Sequence, residues 1–190
     1  MDVLLKEVRA CRYCENKLPL RPRPVLRMAG SARILIIGQA PGSKVHASGI
    51  PWDDRSGNRL RSWLRIDRET FYDERRIAIM PMGFCYPGRF DCGGDKPPRR
   101  ECAPLWHARL LAFLRKIELT LLVGSYAQRY YLGKANKKSM TETVLNWQNY
   151  APAYIPTPHP SWRTIGWQKK NPWFDADVLP RLRDRVSRLL

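Results

Sequence analysis

Four short runs of mainly apolar residues divide the chain, and segments with a helical pattern separate them. The runs cover residues 33–37, 77–82, 119–123 and 153–155. Continuous apolar runs of this length are typical of strands that are buried on both faces in a parallel sheet, whereas half-exposed strands alternate apolar and polar residues. The pattern therefore predicts four buried strands.

Around these runs, apolar residues recur at intervals of three and four, as on one face of a helix. The predicted helices cover residues 3–8, 60–64, 105–114, 126–131, 141–147 and 175–190. Pro104 opens one of them, at a position where proline's missing amide hydrogen is tolerated. Strands that alternate with helices predict an α/β protein, a three-layer α/β/α fold with a central, mostly parallel four-stranded sheet.

Length and composition favour a single domain over residues 1–190. A chain of 190 residues with 44% hydrophobic residues can form one full-sized core. No apolar run approaches the roughly 20 residues that span a bilayer, and the first residues lack the hydrophobic stretch and cleavage site of a signal peptide. We therefore expect a cytoplasmic protein with no membrane segment. We also expect a monomer.

The charge balance indicates an anionic polymer as partner. Lys and Arg number 34 against 17 Asp and Glu, which gives a net charge of +17. This excess raises the local concentration of polyanions and speeds their capture. The same charge suits ribosomal, heparin-binding and membrane-surface proteins, so the charge alone does not choose among them. Seven Trp and eight Tyr add flat side chains that can stack on unpaired bases.

Two junctions between a strand and a loop have an unusual composition. The first apolar run leads into Gly38-Gln39-Ala40-Pro41-Gly42, and the last leads into Thr157-Pro158-His159-Pro160-Ser161-Trp162. Because the carboxyl ends of parallel strands meet at one edge of the sheet, we expect both junctions to face one crevice. A nucleotide phosphate loop would need the Gly-Lys-Ser/Thr ending of a Walker motif, which the first junction lacks.

Together the two junctions resemble the two active-site motifs of the uracil-DNA glycosylase superfamily. The resemblance covers about residues 8–175. It implies that the protein binds DNA and hydrolyses the N-glycosidic bond of uracil or another deaminated base, which leaves an abasic site. It also implies that Gly38, Ala40, Pro41 and Gly42 surround the base. Gln39 of the same motif is expected to orient a water molecule.

The segment after the first motif adds an aromatic residue and two carboxylates. In relatives with an iron-sulfur cluster, an aromatic ring at this offset stacks on the extruded base, and Trp52 occupies that place. One branch carries a catalytic aspartate in an Asp-x-Ser-Gly segment. Asp54 matches this aspartate if one residue fewer lies between it and Trp52 than in that branch. Asp53 stays open as a competitor. A carboxylate suits this chemistry because a cationic sugar forms at C1'. That branch also tends to carry a histidine in this loop, so His46 is expected either to line the base or to hold the loop.

His159 in the second motif is the expected hydrogen-bond donor to the leaving base. Bond cleavage leaves electron density on the base, so a donor aimed at its O2 stabilises the transition state more than the ground state. The resemblance assigns phosphate binding to Ser161 and the gap left by the flipped nucleotide to Trp162 or Arg163. Arginines of the long loops are expected to contact phosphates: Arg89, Arg99, Arg100 and Arg163.

The cysteines form a second pattern. In a reducing compartment, thiols or metal ligands are expected rather than disulfides, and Cys11 and Cys14 have a common ligand spacing. With Cys85 and Cys102, they fall where the iron-sulfur glycosylases place their cluster ligands. Four thiolates suit either a 4Fe-4S cluster or tetrahedral zinc, and the resemblance favours the cluster in a structural role. Cys92 is left over, either as a free thiol or as a ligand in place of Cys85.

One departure from the family pattern concerns base recognition. Relatives with a cluster often carry an asparagine after the second strand that contacts the amide edge of uracil, whereas this chain has MPMGFC at residues 80–85. Backbone amides, Asn58 or Asn171 stay open as readers of the base, and hypoxanthine, xanthine or a damaged pyrimidine stay open as substrates. The rival function is an iron-sulfur nucleic-acid-binding module with lost or minimal catalysis. His107 is expected to pack or to lie at the surface.

Overall fold

The computed structural model describes residues 2–190, and a four-stranded parallel sheet forms its centre. The strands are β1 (Ile34–Ile37), β2 (Ile77–Ile79), β3 (Leu119–Val123) and β4 (Tyr154–Thr157). Their spatial order is β2-β1-β3-β4, and each neighbouring pair is parallel. The predicted parallel sheet is therefore confirmed, and the strand positions agree with the four apolar runs.

Within residues 2–190, nine α-helices surround the sheet. They are α1 (Asp2–Arg9), α2 (Ser43–Ser48), α3 (Arg55–Leu64), α4 (Arg68–Tyr72), α5 (Cys102–Leu111), α6 (Ser125–Leu132), α7 (Met140–Leu145), α8 (Arg163–Lys170) and α9 (Leu179–Leu189). A π-helical turn, Phe174–Val178, leads into the last of them. In the described part of the chain, no helix combines the length and the apolar character needed to cross a membrane.

Several helix boundaries differ from the prediction. Helix α3 begins at Arg55 rather than near Asn58, because the side chain of Asp54 caps its first turn. Helix α5 begins at Cys102, two residues before Pro104. Helices α2, α4 and α8 were not predicted at all. The first two have only six and five residues, too few for a helical period to show in the sequence.

Alternate residues of β1 face opposite layers of the fold. Ile34 and Ile36 belong to a core cluster that includes residues of α3 and α9. Leu35 and Ile37 belong to a second cluster, which includes residues of α1, α5 and α6. Burial of both faces explains why the strands read as continuous apolar runs, and it makes the fold a three-layer α/β/α arrangement.

Candidate active site

A cavity of about 480 Å³ lies where β1 and β4 release the chain into the two glycine- and proline-rich junctions. This volume falls in the range of about 300–1,000 Å³ that is common for ligand sites. We call it the nucleobase cavity, after the ligand that the resemblance in the sequence implies. It brings together most of the residues that the sequence singled out: Gly38, Gln39, Ala40, Pro41, Gly42, Trp52, Asp54, His159, Ser161 and Arg163.

Two close backbone approaches hold Trp52 in the cavity wall. A Cβ on Gly38 would lie 2.6 Å from the indole Cζ2, and a Cβ on Gly57 would lie 1.8 Å from the Trp52 carbonyl oxygen. Both positions therefore require glycine. Trp52 itself has a φ of 59°, which is uncommon for a residue with a side chain. Its ring centroid lies 5.5 Å from that of His159.

The two adjacent aspartates have different environments. Asp54 lines the cavity, and its Oδ1 accepts a hydrogen bond of 2.8 Å from the Gly57 amide at the start of α3. Asp53 does not line the cavity, since its Oδ1 accepts a 2.9 Å hydrogen bond from Arg68. That hydrogen bond lowers the pKa of Asp53. The carboxylate at the cavity wall is thus Asp54, which also serves as the helix cap.

His159 is held by its own backbone. Its carbonyl oxygen accepts hydrogen bonds from the Thr164 hydroxyl and, at 2.8 Å, from the Ser161 amide. The Ser161 carbonyl in turn accepts a 3.0 Å hydrogen bond from Arg59 of α3. Burial lowers the pKa of His159, and the nearby charge of Asp54 opposes this shift only in part. A neutral imidazole that still carries one N–H is therefore the form expected at neutral pH.

The sequence relationship agrees with this geometry. Residues 27–183 match the family model described as the uracil DNA glycosylase superfamily. The chain belongs to this superfamily. Membership supports a DNA glycosylase-type hydrolase that acts on DNA, and the matched range contains both junctions of the nucleobase cavity and Trp52 and Asp54 between them.

Some residues that the resemblance singled out lie elsewhere in this glycosylase-like domain. His46 does not line the cavity, and Arg23 binds the His46 carbonyl at 2.6 Å. Asn58 accepts a hydrogen bond from Arg61, and Asn171 donates one of 2.8 Å to the Trp167 carbonyl at the end of α8. Neither asparagine lines the cavity, so neither is placed to read a base.

The four arginines expected at phosphates divide into two groups. Arg89 and Arg163 line the nucleobase cavity. Arg100 is exposed outside the cavity lining, and Arg99 donates a 2.5 Å hydrogen bond to Glu101. Of these four arginines, only Arg89 and Arg163 therefore add positive charge to the cavity wall.

Asp95 is a cavity residue that the sequence did not indicate. Its Oδ2 lies 3.6 Å from the position that a Cβ on Gly42 would take. Partial desolvation raises the pKa of Asp95, and the charge of Asp54 adds to the shift, while Arg89 and Arg163 oppose it. The turn-forming pair Gly93-Gly94 was the only available signal that this segment folds back toward the first motif.

A second, smaller pocket contains four of the five cysteines. We call it the cysteine pocket, and its thiols are Cys11, Cys14, Cys85 and Cys102. Burial raises the pKa of Cys85 to about 12 and that of Cys102 to about 11. Cys92 is exposed and does not line this pocket. Among residues 2–190, no three His, Cys, Asp or Glu side chains are arranged to hold a single metal ion.

Proposed function

We propose that this protein removes uracil, or a related deaminated base, from DNA by hydrolysing the N-glycosidic bond. The observation that carries the proposal is that Trp52, Asp54 and His159 line one cavity although more than 100 residues separate the first from the last. Each supplies a different requirement of the reaction, namely a stacking surface, a negative charge and a hydrogen-bond donor.

Entry of the base comes first. A base inside a duplex is not accessible to these groups, so the nucleotide must be extruded at a cost of a few kcal/mol. Within the cavity, Trp52 offers the extruded base a flat surface that the close approaches of Gly38 and Gly57 already fix. Arg89 and Arg163 at the cavity wall provide positive charge for the flanking phosphates.

Bond cleavage then separates charge. The electron pair of the N-glycosidic bond passes to the base, and positive charge develops at C1' of the sugar. An N–H of neutral His159 stabilises the anionic base, and the Asp54 carboxylate stabilises the cationic sugar. A water molecule, oriented by Asp54 and Gln39, adds its oxygen to C1' and gives up a proton. The base anion takes up a proton in turn, which leaves an abasic sugar and the neutral free base.

Base selection differs from that of relatives with an asparagine after the second strand. The amides of Met82 and Gly83 donate to the carbonyls of Gly38 and Gln39, at 2.9 and 3.0 Å, and so are not free to bind a base. We infer that backbone amides of the first motif recognise the base instead. Because backbone amides contact any carbonyl within reach, we expect hypoxanthine and xanthine to be substrates besides uracil.

An oligonucleotide panel tests this function. Single- and double-stranded oligonucleotides with uracil, hypoxanthine or xanthine are incubated with the protein, and alkali then cleaves the strand at abasic sites. Asp54→Asn keeps an acceptor for the Gly57 amide but removes the charge, and Asp53→Asn is the matched control. We expect a loss of at least ~100-fold for the first variant and less than about threefold for the second.

Two results would contradict the proposal. Wild-type protein that binds these oligonucleotides but leaves every base attached would favour the binding module. Equal losses for Asp54→Asn and Asp53→Asn would show that the Asp54 carboxylate does not have the catalytic role assigned to it.

We also propose that the cysteine pocket holds a 4Fe-4S cluster. A cubane takes one thiolate on each of four iron atoms around a shared space, and four thiols surround one pocket here. A bound cluster would supply positive iron charge for thiols that burial otherwise keeps protonated. In this role, the four cysteines would tie α1 and α5 to the segment after β2. Iron, sulfide and zinc analysis of purified protein tests this, and zinc without iron would overturn it.

A further inference from the structure

The loop after β2 folds into a short hairpin between Gly88 and Lys96, which we call the 88–96 hairpin. The Lys96 amide donates to the Gly88 carbonyl at 2.8 Å, and the Phe90 amide donates to the Gly94 carbonyl at 3.0 Å. Positive φ angles at Gly88, Gly93 and Gly94 permit the reversal. The hairpin is thus an element held by its own backbone hydrogen bonds rather than an irregular loop.

This hairpin stands at the mouth of the nucleobase cavity. The backbones of Arg89 and Asp95 form an antiparallel β-bridge across the hairpin, and both residues line the cavity. The guanidinium of Arg163, from the second motif, lies 3.6 Å from the position that a Cβ on Gly94 would take. The hairpin and the second motif therefore meet at the wall of the cavity.

Each of these two elements exposes one large aromatic ring. Trp162 of the second motif is 73% exposed, and Phe90 of the hairpin is 48% exposed. An exposed ring gains free energy when a flat apolar partner covers it. Extrusion of a nucleotide creates such partners, because the bases on either side of it lose a stacking neighbour.

The charge of the hairpin indicates which part of DNA it contacts. Arg89 and Lys96 are balanced by Asp91 and Asp95, so the hairpin has no net charge in a protein of +17. Arg89 lines the cavity, where it can meet a phosphate, but a segment that bound phosphates along its whole length would carry the positive excess of the rest of the chain. A hairpin without excess positive charge and with an exposed Phe90 ring fits the face of a base better than a phosphate.

We propose that Phe90 is a second DNA wedge, which stacks on a base that flanks the extruded nucleotide while Trp162 acts from the second motif. The proposal rests on the proposed function, since a flanking base is unstacked only if a nucleotide leaves the duplex. The partner is accordingly duplex DNA with an extrudable or missing base. A single strand, whose bases are already unstacked, has less need of the wedge.

Phe90→Ala and Phe90→Trp test the proposal. Phe113→Ala is the control, because Phe113 follows α5, is 45% exposed and does not line the cavity. We expect Phe90→Ala to lower kcat/KM on a uracil duplex by about 10-fold, since stacking on one base has an effect of this order. The loss on single-stranded uracil DNA should be less than about threefold. Phe90→Trp should restore the duplex activity, and Phe113→Ala should leave it unchanged.

Fluorescence provides a readout that does not require catalysis. The fluorescent base 2-aminopurine is placed on either side of a stable abasic-site analogue in a duplex, where stacking on an aromatic ring quenches it. Wild-type protein should quench it on at least one side, and Phe90→Ala should lose that quenching. Unchanged quenching in Phe90→Ala, or an equal loss in Phe113→Ala, would overturn the wedge. Wild-type protein that quenches but cleaves no base would overturn the proposed function and leave the wedge standing.

Discussion

The nucleobase cavity and the cysteine pocket differ in the surroundings of their polar side chains. In the cavity, charged side chains such as Asp54, Arg89 and Arg163 line an open space, and backbone contacts fix the position of Asp54. In the cysteine pocket, thiols lie among apolar walls such as Phe84 and Trp106, and burial raises the pKa of the more enclosed ones. The first arrangement is compatible with the substrate exchange that we propose for the cavity, and the second with the bound cluster that we propose for the cysteine pocket.

The two regions are joined by His107. Its Nε2 lies 3.2 Å from the carbonyl oxygen of Pro81, which lines the cavity, so this nitrogen carries the proton. Its Nδ1 then accepts a 2.7 Å hydrogen bond from the Tyr131 hydroxyl. The ring stacks on Phe84 of the cysteine pocket, with centroids 5.6 Å apart. His107 is thus a buried packing residue, which is one of the two alternatives expected from the sequence, the other being a place at the surface.

The largest effect is expected from the cysteine pocket. If a metal cluster is its occupant, Cys85→Ser should lose metal and destabilise the fold by more than about 4 kcal/mol, which lowers the Tm by about 10 °C or more. Cys92→Ser is the control, because Cys92 is exposed outside the pocket. Metal analysis and thermal unfolding measure both. Equal Tm values for the two variants would contradict a stabilising occupant in the cysteine pocket and so remove this difference from the nucleobase cavity.

In the cavity, His159→Ala should leave the fold intact and remove activity. Loss of one transition-state hydrogen-bond donor costs about 100- to 1,000-fold in kcat. His46→Ala is the matched control, since His46 does not line the cavity. Single-turnover kinetics on a uracil duplex, together with the Tm, measure the effect. A large Tm loss in His159→Ala would show that this residue is structural.

His107, which joins the two regions, should make the free energy of unfolding depend on pH. Burial lowers the pKa of His107 from 6.5 to about 4. Between these values the unfolded chain binds a proton that the folded chain does not, so stability falls as the pH drops from 6.5 toward 4, by up to about 3 kcal/mol. Urea unfolding of His107→Phe should show a shallower loss over this range. The same slope in both proteins would contradict the buried neutral imidazole.

The smallest effect is expected at the cavity mouth. Trp162→Ala should raise KM for a uracil duplex by about 10-fold, because one stacked base contributes on the order of 1 kcal/mol. Tyr13→Ala, which removes a 62% exposed ring next to the cysteine pocket, should have no such effect. Equal changes in KM would mean that exposed aromatic residues act only through nonspecific binding.

The sequence predicted the sheet well because its strands are buried on both faces, which leaves a continuous apolar signal. It did not predict α8, whose sequence RTIGWQKK buries only Thr164 fully and so lacks a clear apolar stripe. The sequence could not decide which of Asp53 and Asp54 lines the cavity. Asp53 instead accepts a hydrogen bond from Arg68, a partner 15 residues further along the chain, which a local pattern does not reveal. Asp95 was missed because its place depends on how the hairpin closes, which no local pattern encodes.

The fixed indole of Trp52 has a consequence for the thermodynamics of substrate entry. An aromatic side chain that is mobile before binding loses rotational freedom when a ligand covers it, at about 0.5–1.5 kcal/mol. Gly38 and Gly57 allow the ring and its carbonyl to pack so closely that this ordering has already occurred during folding. The cavity is therefore preorganised, and a base that reaches it meets a surface with little conformational entropy left to lose.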